Sequence, residues 1–292
     1  MISGQDETWG DLDSQLGSRE VAKFFYDPQD DPEERVFSSK LPSSIKLSED
    51  SLFEAFEKNI LYKKWEAPQF IYFNFQAGHF PYFHKNMPRK FVDEGIPRGE
   101  INPDSKDWLA ATYWNSMHHA DVYIGKIIDA LRHKGVLDET MIIVLGDHGE
   151  SLFDDGFLGH GHYINDSQLK IPLVFSSPQI VLDNPVGLLH VYELIASIFE
   201  LPETKAPGGE GANECVLHFV GQLKWPVLVG QSCDDGNRVV FNVRDNLVQF
   251  DNEDYWYRVD KIEPGSLRHT RLIQLIWEWE NAIWSTIKTI SK

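Results

Sequence analysis

Hydrophobic positions along the chain follow two rhythms. Short, nearly unbroken apolar runs occur at Phe70–Phe75 (FIYFNF), Met141–Leu145 (MIIVL) and Ile171–Phe175 (IPLVF). Their length and their β-branched or aromatic content predict buried strands. Between them, apolar residues recur every three or four positions. One such stretch, about Asp50–Tyr62, carries Leu52, Phe53, Phe56 and Ile60, with Ser48 and Glu49 placed to cap it. A second, about Trp108–His133, carries Tyr113, Met117, Ala120, Ile124, Ile127 and Leu131 and stops at Lys134-Gly135. A third, Gly187–Leu201, ends at Pro202. Alternating strands and helices predict an α/β fold with a mixed, mostly parallel sheet flanked by helices.

The rhythm changes near residue 203. PETKAPGGEGANE reads as a linker. Short β-like runs follow at Pro226–Val229, Arg238–Val243, Leu247–Phe250 and Tyr255–Val259, separated by turn clusters such as DDGN and DNED. That pattern predicts a small antiparallel meander. Glu263–Ser291 reads as a closing amphipathic helix. The expected organisation is an α/β domain over residues 1–202 and a C-terminal meander with its helix over 203–292.

Charge narrows the function. The net charge of −18 argues against nucleic acid as a partner, because phosphate-backbone binding needs clustered Lys and Arg. A small anionic substrate stays open, since a bound cation reverses the local field. Cys215 and Cys233 fit no zinc-ligand spacing and are read as either one disulfide or two thiols. No apolar run approaches the ~20 residues of a membrane span. The polar, acidic first 20 residues do not read as a signal peptide. The chain is therefore expected to be soluble.

The candidate chemistry gathers where the strand Met141–Leu145 ends. Gly146 closes it, then Asp147, His148, Gly149 and Glu150 follow, and His160-Gly161-His162 lie one loop further on. A carboxylate and an imidazole at the carboxyl end of a buried strand stand where α/β sheets bind ligands. Together they suit a divalent cation. A helix-capping Asp beside a surface His is the plainer alternative. His160 and His162 can ligate metal, bind anionic oxygens or act as general acids, or they can be solvated loop residues. His79 stands at the end of the FIYFNF run, held by Pro81. Asp154-Asp155-Gly156 misses the EF-hand register and reads as a turn. His118 and His119 read as a helix surface, and Asp121, Glu150 and Lys170 as structural. One ion shared by Asp147, His148, His160 and His162 is a further alternative.

These residues resemble the sulfatase family of the alkaline-phosphatase superfamily, including its lipoteichoic acid synthase and phosphoethanolamine transferase branch. The resemblance rests on HFPY after a strand (Phe70–Tyr82), ADVYIGKIIDAL (Ala120–Leu131), GDHGES after a strand (Met141–Ser151), LGHGH (Leu158–His162) and IPLVF (Ile171–Phe175). It implies an alkaline-phosphatase-like fold. It also implies a divalent metal (Ca, Mg, Mn or Zn) on Asp147 and His148. His79 and His160 would contact or protonate a sulfate or phosphate ester, with His162 beside them. Family members use a Thr, Ser or formylglycine nucleophile, are often periplasmic, extracellular or membrane-anchored, and carry an acidic ligand on an earlier strand. Neither a C-x-P-S-R signature nor that strand is found before Phe70. The sequence-level expectation is thus a partial domain that lacks its N-terminal half. Its exposed sheet edge would be covered by that half or by self-association. A non-catalytic remnant serving as a binding or regulatory module is the alternative.

Overall fold

The computed structural model describes residues 1–8, 21–37, 44–177, 180, 187–199, 215–251 and 253–290, with backbone alone at residue 189 and over 284–290. The chain divides into two units, Met1–Met141 and Ile142–Lys292. The 203–214 linker lies outside the described residues.

The first unit is built on four short strands, β1 (Ile2–Ser3), β2 (Arg35–Phe37), β3 (Lys46–Leu47) and β4 (Phe73–Asn74). β1 pairs in parallel with β4, and β2 pairs antiparallel with β3. Gly4 links the two pairs: its N–H donates to the Asn74 carbonyl, and its own carbonyl accepts from Leu47 N–H. Helix α1 (Glu49–Phe56) begins where the sequence signals it. Ser48 Oγ accepts from the Ser51 N–H, and Glu49 and Asp50 sit in the positive first turn. Its buried Leu52 and Phe56 join Ile2 and Leu47 in the core, and Phe56 meets Phe73 edge-to-face at 5.3 Å.

Two expectations change here. The FIYFNF run forms only a two-residue strand, and Phe70 is 71% exposed. Among the described residues this segment pairs as a strand only with β1. Helix α2 (Lys106–Lys134) ends as foreseen at Gly135, whose φ of +78° suits a residue without a side chain. Its most buried stripe, however, is the polar one: Thr112, Asn115, Ser116 and His119. The reason lies in the excursion before it. Asn115 Oδ1 accepts from the N–H groups of Lys90 and Phe91, its Nδ2 donates to the Val92 carbonyl, and Thr112 Oγ1 accepts from Ile96 N–H. A loop of backbone laid on a helix needs polar partners from that helix.

The second unit opens with β5 (Ile143–Leu145), followed by a hairpin of β6 (Ser151–Leu152) and β7 (Leu158–Gly159) and the short helix α3 (Asp166–Leu169). β8 (Leu173–Phe175) returns antiparallel to β5, in the register Val144↔Val174. Among the described residues the parallel pairings are β1 with β4 and the isolated bridge Ile2↔Tyr26, so the α/β core is mixed. Helix α4 (Leu188–Ile198) follows.

The C-terminal part is the expected meander, with one strand the hydrophobic pattern did not reveal. β9 (Cys215–Gln222), β10 (Trp225–Cys233), β11 (Arg238–Asn242), β12 (Leu247–Phe250) and β13 (Tyr257–Arg258) pair antiparallel in sequence order. Cys215 and Cys233 face each other across β9–β10 and are joined as a disulfide. Helix α5 (Leu267–Ile290) covers one face, where Leu272 and Leu275 pack on Val229, Val239, Val248 and Phe250. On the other face Ile164 packs against Leu228 and Val240. Gly230 makes room for it: a side chain there would meet Ile164 Cδ1 at 2.9 Å.

Candidate functional site

The site is assembled by the β6–β7 hairpin. Ser151 pairs with Gly159, so the residues just outside the pair, Glu150 and His160, come face to face. His160 Nδ1 lies 2.6 Å from Glu150 Oε2, and the Glu150 side chain is only 6% exposed. A buried carboxylate this close accepts the Nδ1 proton and orients the ring so that Nε2 carries the lone pair or the exchangeable proton. Asp154-Asp155-Gly156 is the hairpin's turn, with Gly156 at φ +79°, as the sequence indicated.

His148 reaches the same point from the end of β5. Its ring lies against that of His160, with centroids 3.7 Å apart. Its Nδ1 is 2.9 Å from the Gly149 carbonyl, which fixes the proton on Nδ1 and leaves the lone pair on Nε2. Asp147 Oδ2 stands 3.7 Å from that Nε2, and the Asp147 side chain is 86% exposed. One ligand atom from each of His148, Glu150 and His160 falls within 4.8 Å of the others. The donor set fits a divalent cation: a carboxylate oxygen and an imidazole nitrogen whose other nitrogen is held by a carbonyl.

Gln168 locks the pieces together. It is buried, its Nε2 donates to Ser151 Oγ, and its Oε1 lies 3.4 Å from the N–H groups of both His162 and Tyr163. The Gln168 carbonyl accepts from Gly149 N–H at 2.8 Å. Gly149 has no alternative there, because a Cβ would lie 2.2 Å from the Ser167 carbonyl oxygen. From this clamp the chain runs into Tyr163 and Ile164, which anchor it on the meander.

Of the sequence candidates, His148 and His160 come together, with Asp147 at the rim. His162 is exposed and stays outside the cluster. Glu150, read from sequence as structural, belongs at its centre. The signal for it was the DDG turn between LF and FLG: read as a hairpin, it sets Glu150 opposite His160.

His79 belongs to the first unit. It is half-buried in the turn after β4, with Nδ1 3.0 Å from the Phe80 carbonyl. Buried side chains fix that turn. Lys46 Nζ donates to the Phe80 carbonyl at 3.0 Å, and Glu49 Oε1 accepts from the N–H groups of Gln76 and Ala77. Burial works to raise the Glu49 pKa, but the facing imidazoles of His119 and His84 outweigh it and hold the carboxyl down at about 2. His119 is therefore not the surface residue its helix position suggested. It is buried beside this carboxylate.

A mixed α/β core with a small antiparallel sheet at its C-terminus defines the alkaline-phosphatase-like class of fold. Solved structures with this fold include a phosphonate monoester hydrolase from Silicibacter pomeroyi (TM-score 0.54, 14% identity, 90% of this chain and 67% of that one). Another is the phosphonate monoester hydrolase of Agrobacterium radiobacter (TM-score 0.54, 16% identity, 94% and 68%). Residues 1–204 match the sulfatase family, and the chain belongs to it. Curated relatives include a sulfatase of Formosa agariphila, 25% identical over half of this chain and 34% of its own length. The phosphoethanolamine transferase EptA of Escherichia coli K12 is 27% identical over 49% and 27%. An arylsulfatase of Clostridium perfringens is 22% identical over 60% and 38%. The matches thus span about a third of these relatives' lengths.

Proposed function

We propose that this chain carries part of the catalytic centre of a metal-dependent sulfuric- or phosphoric-ester hydrolase or transferase. The observation that supports it is the Glu150–His160–His148 cluster at the carboxyl end of β5, with Asp147 beside it. Asp147 and His148 would hold a divalent cation (Ca, Mg, Mn or Zn), which when bound offsets the negative charge that builds on the ester oxygens. His160, oriented through Nδ1 by Glu150, would bind the anion and give a proton from Nε2 to the leaving oxygen. His79 would share the anion-binding or proton-donating role, with His162 as an outer contact.

The attacking group would be a Thr, Ser or formylglycine supplied by residues beyond these 292. They would also supply the acidic ligand that completes the cation's shell. The exposed apolar residues of the β5–β8 pair, Leu145 and Val174, are compatible with cover by such residues or by a second copy. No helix among the described residues is long and apolar enough to cross a membrane.

The test is titration of the chain with each cation, then turnover of p-nitrophenyl sulfate and phosphate. Both are measured on the chain and on any longer product of the same reading frame. One equivalent of bound cation lost on Asp147→Asn with His148→Ala, plus metal-dependent turnover, supports the proposal. That loss without turnover in either form favours a non-catalytic binding module, and no cation lost on the substitution in either form rules out both.

A further inference from the structure

The first unit buries a second convergent set of donors. Glu49, His84 and His119 are 1%, 5% and 4% exposed. Glu49 comes from the first turn of α1, His84 from the turn after β4, and His119 from the middle of α2. Glu49 Oε2 lies 3.3 Å from His119 Nε2 and 3.8 Å from His84 Nε2, and the three atoms fall within 4.8 Å of one another. The three face one another without a well-directed hydrogen bond, and all are sealed from solvent. A buried polar atom without a partner costs about 1–3 kcal/mol, so three aimed at one point require a cause.

A cation supplies one. Around a tetrahedral ion with bonds of ~2.0–2.1 Å, ligand atoms sit about 3.3 Å apart, as Glu49 and His119 do at 3.3 Å, while His84 at 3.8 Å would move inward. The second oxygen of Glu49 is already fixed by two backbone N–H groups, which aims Oε2 inward. Two imidazoles and one carboxylate are a donor set that suits zinc. A small cavity lined by Lys46, Glu49, His79 and His84 adjoins the cluster. Asp50 Oδ2, 3.9 Å from His119 Nε2, is a further oxygen within reach.

One contact opposes this reading. Asn86 N–H approaches His84 Nδ1 at 3.3 Å, whereas ligation through Nε2 needs the proton on Nδ1. That contact is at the long end of the hydrogen-bond range, so ligation through Nε2 gives up one weak hydrogen bond.

We propose that Glu49, His84 and His119 form a divalent-cation site, suited first to zinc, that ties α1, the turn bearing His79 and α2 together. It uses none of the residues assigned to the ester centre. The test therefore starts from the chain carrying Asp147→Asn and His148→Ala, stripped with chelator and dialysed against zinc. A single retained zinc and a raised Tm are expected, with retention falling more than about tenfold on adding Glu49→Gln. Should Glu49→Gln fail to fold, histidine 15N resonances of the parent double variant serve instead. Zinc should move those of His84 and His119. No retained zinc, retention unchanged by Glu49→Gln, or unmoved His84 and His119 resonances would overturn the proposal.

Discussion

At the residue scale, the site turns on side chains whose neighbours leave them little choice. Glu150 is the clearest. Its carboxylate accepts the Nδ1 proton of His160, so Glu150→Gln should loosen the ring's orientation and cut any ester turnover by about 10–100-fold. The 15N shifts of His160, which report the tautomer, read the first effect without requiring activity. Unchanged shifts would mean that Glu150 does not orient the imidazole. Gly149 is constrained sterically rather than electrostatically. With a Cβ 2.2 Å from the Ser167 carbonyl oxygen, Gly149→Ala should destabilise by roughly 1–3 kcal/mol in urea unfolding. Gly156→Ala, where nothing lies within 4 Å, should cost only the strain of its positive φ.

At the element scale, the meander acts as the platform for the histidine loop. One face receives α5, and the other receives Tyr163 and Ile164. A weak point sits in β9. His218 Nε2 is sealed from solvent without a hydrogen-bond partner, and burial, helped by the Arg238 charge, pushes its pKa down to about 4. The unfolded chain binds that proton near pH 6.5, and the folded chain does so only near 4. Stability is therefore complete above about pH 6.5 and declines as pH falls toward 4, by on the order of 3 kcal/mol. Unfolding measured at pH 7 and pH 4.5 should show this loss, and His218→Leu should remove most of the difference. An equal pH dependence in the variant would place the acid sensitivity elsewhere.

At the scale of the whole molecule, charge sets the limits. With a net charge of −18, the chain should show no binding to duplex DNA at physiological salt. Inorganic sulfate or phosphate should bind measurably only after a divalent cation is added, because the cation reverses the field at the carboxylates. Calorimetric titration with and without metal tests this. Anion binding of equal strength in chelator would contradict the proposed centre.

Patterns governed by neighbours in sequence were legible before any coordinates. The Ser48 cap, the Gly135 stop and the turn-separated meander follow from local backbone chemistry. The GDHGES–LGHGH spacing was legible through the family resemblance that it carries. Residues whose roles depend on partners far along the chain were not. Glu150 looked structural until strand register set it across from His160. His119 looked like helix surface until α1 brought Glu49 against it. Asn115 and Thr112 became core because a distant loop needed their hydrogen bonds. β9 stayed hidden because its apolar residues alternate only weakly, and the disulfide to Cys233 and the pairing with β10 identify it. The sequence determines which groups are available and what each can do. Tertiary structure decides which of them are dehydrated together, and dehydration is what turns a carboxylate and an imidazole into a site.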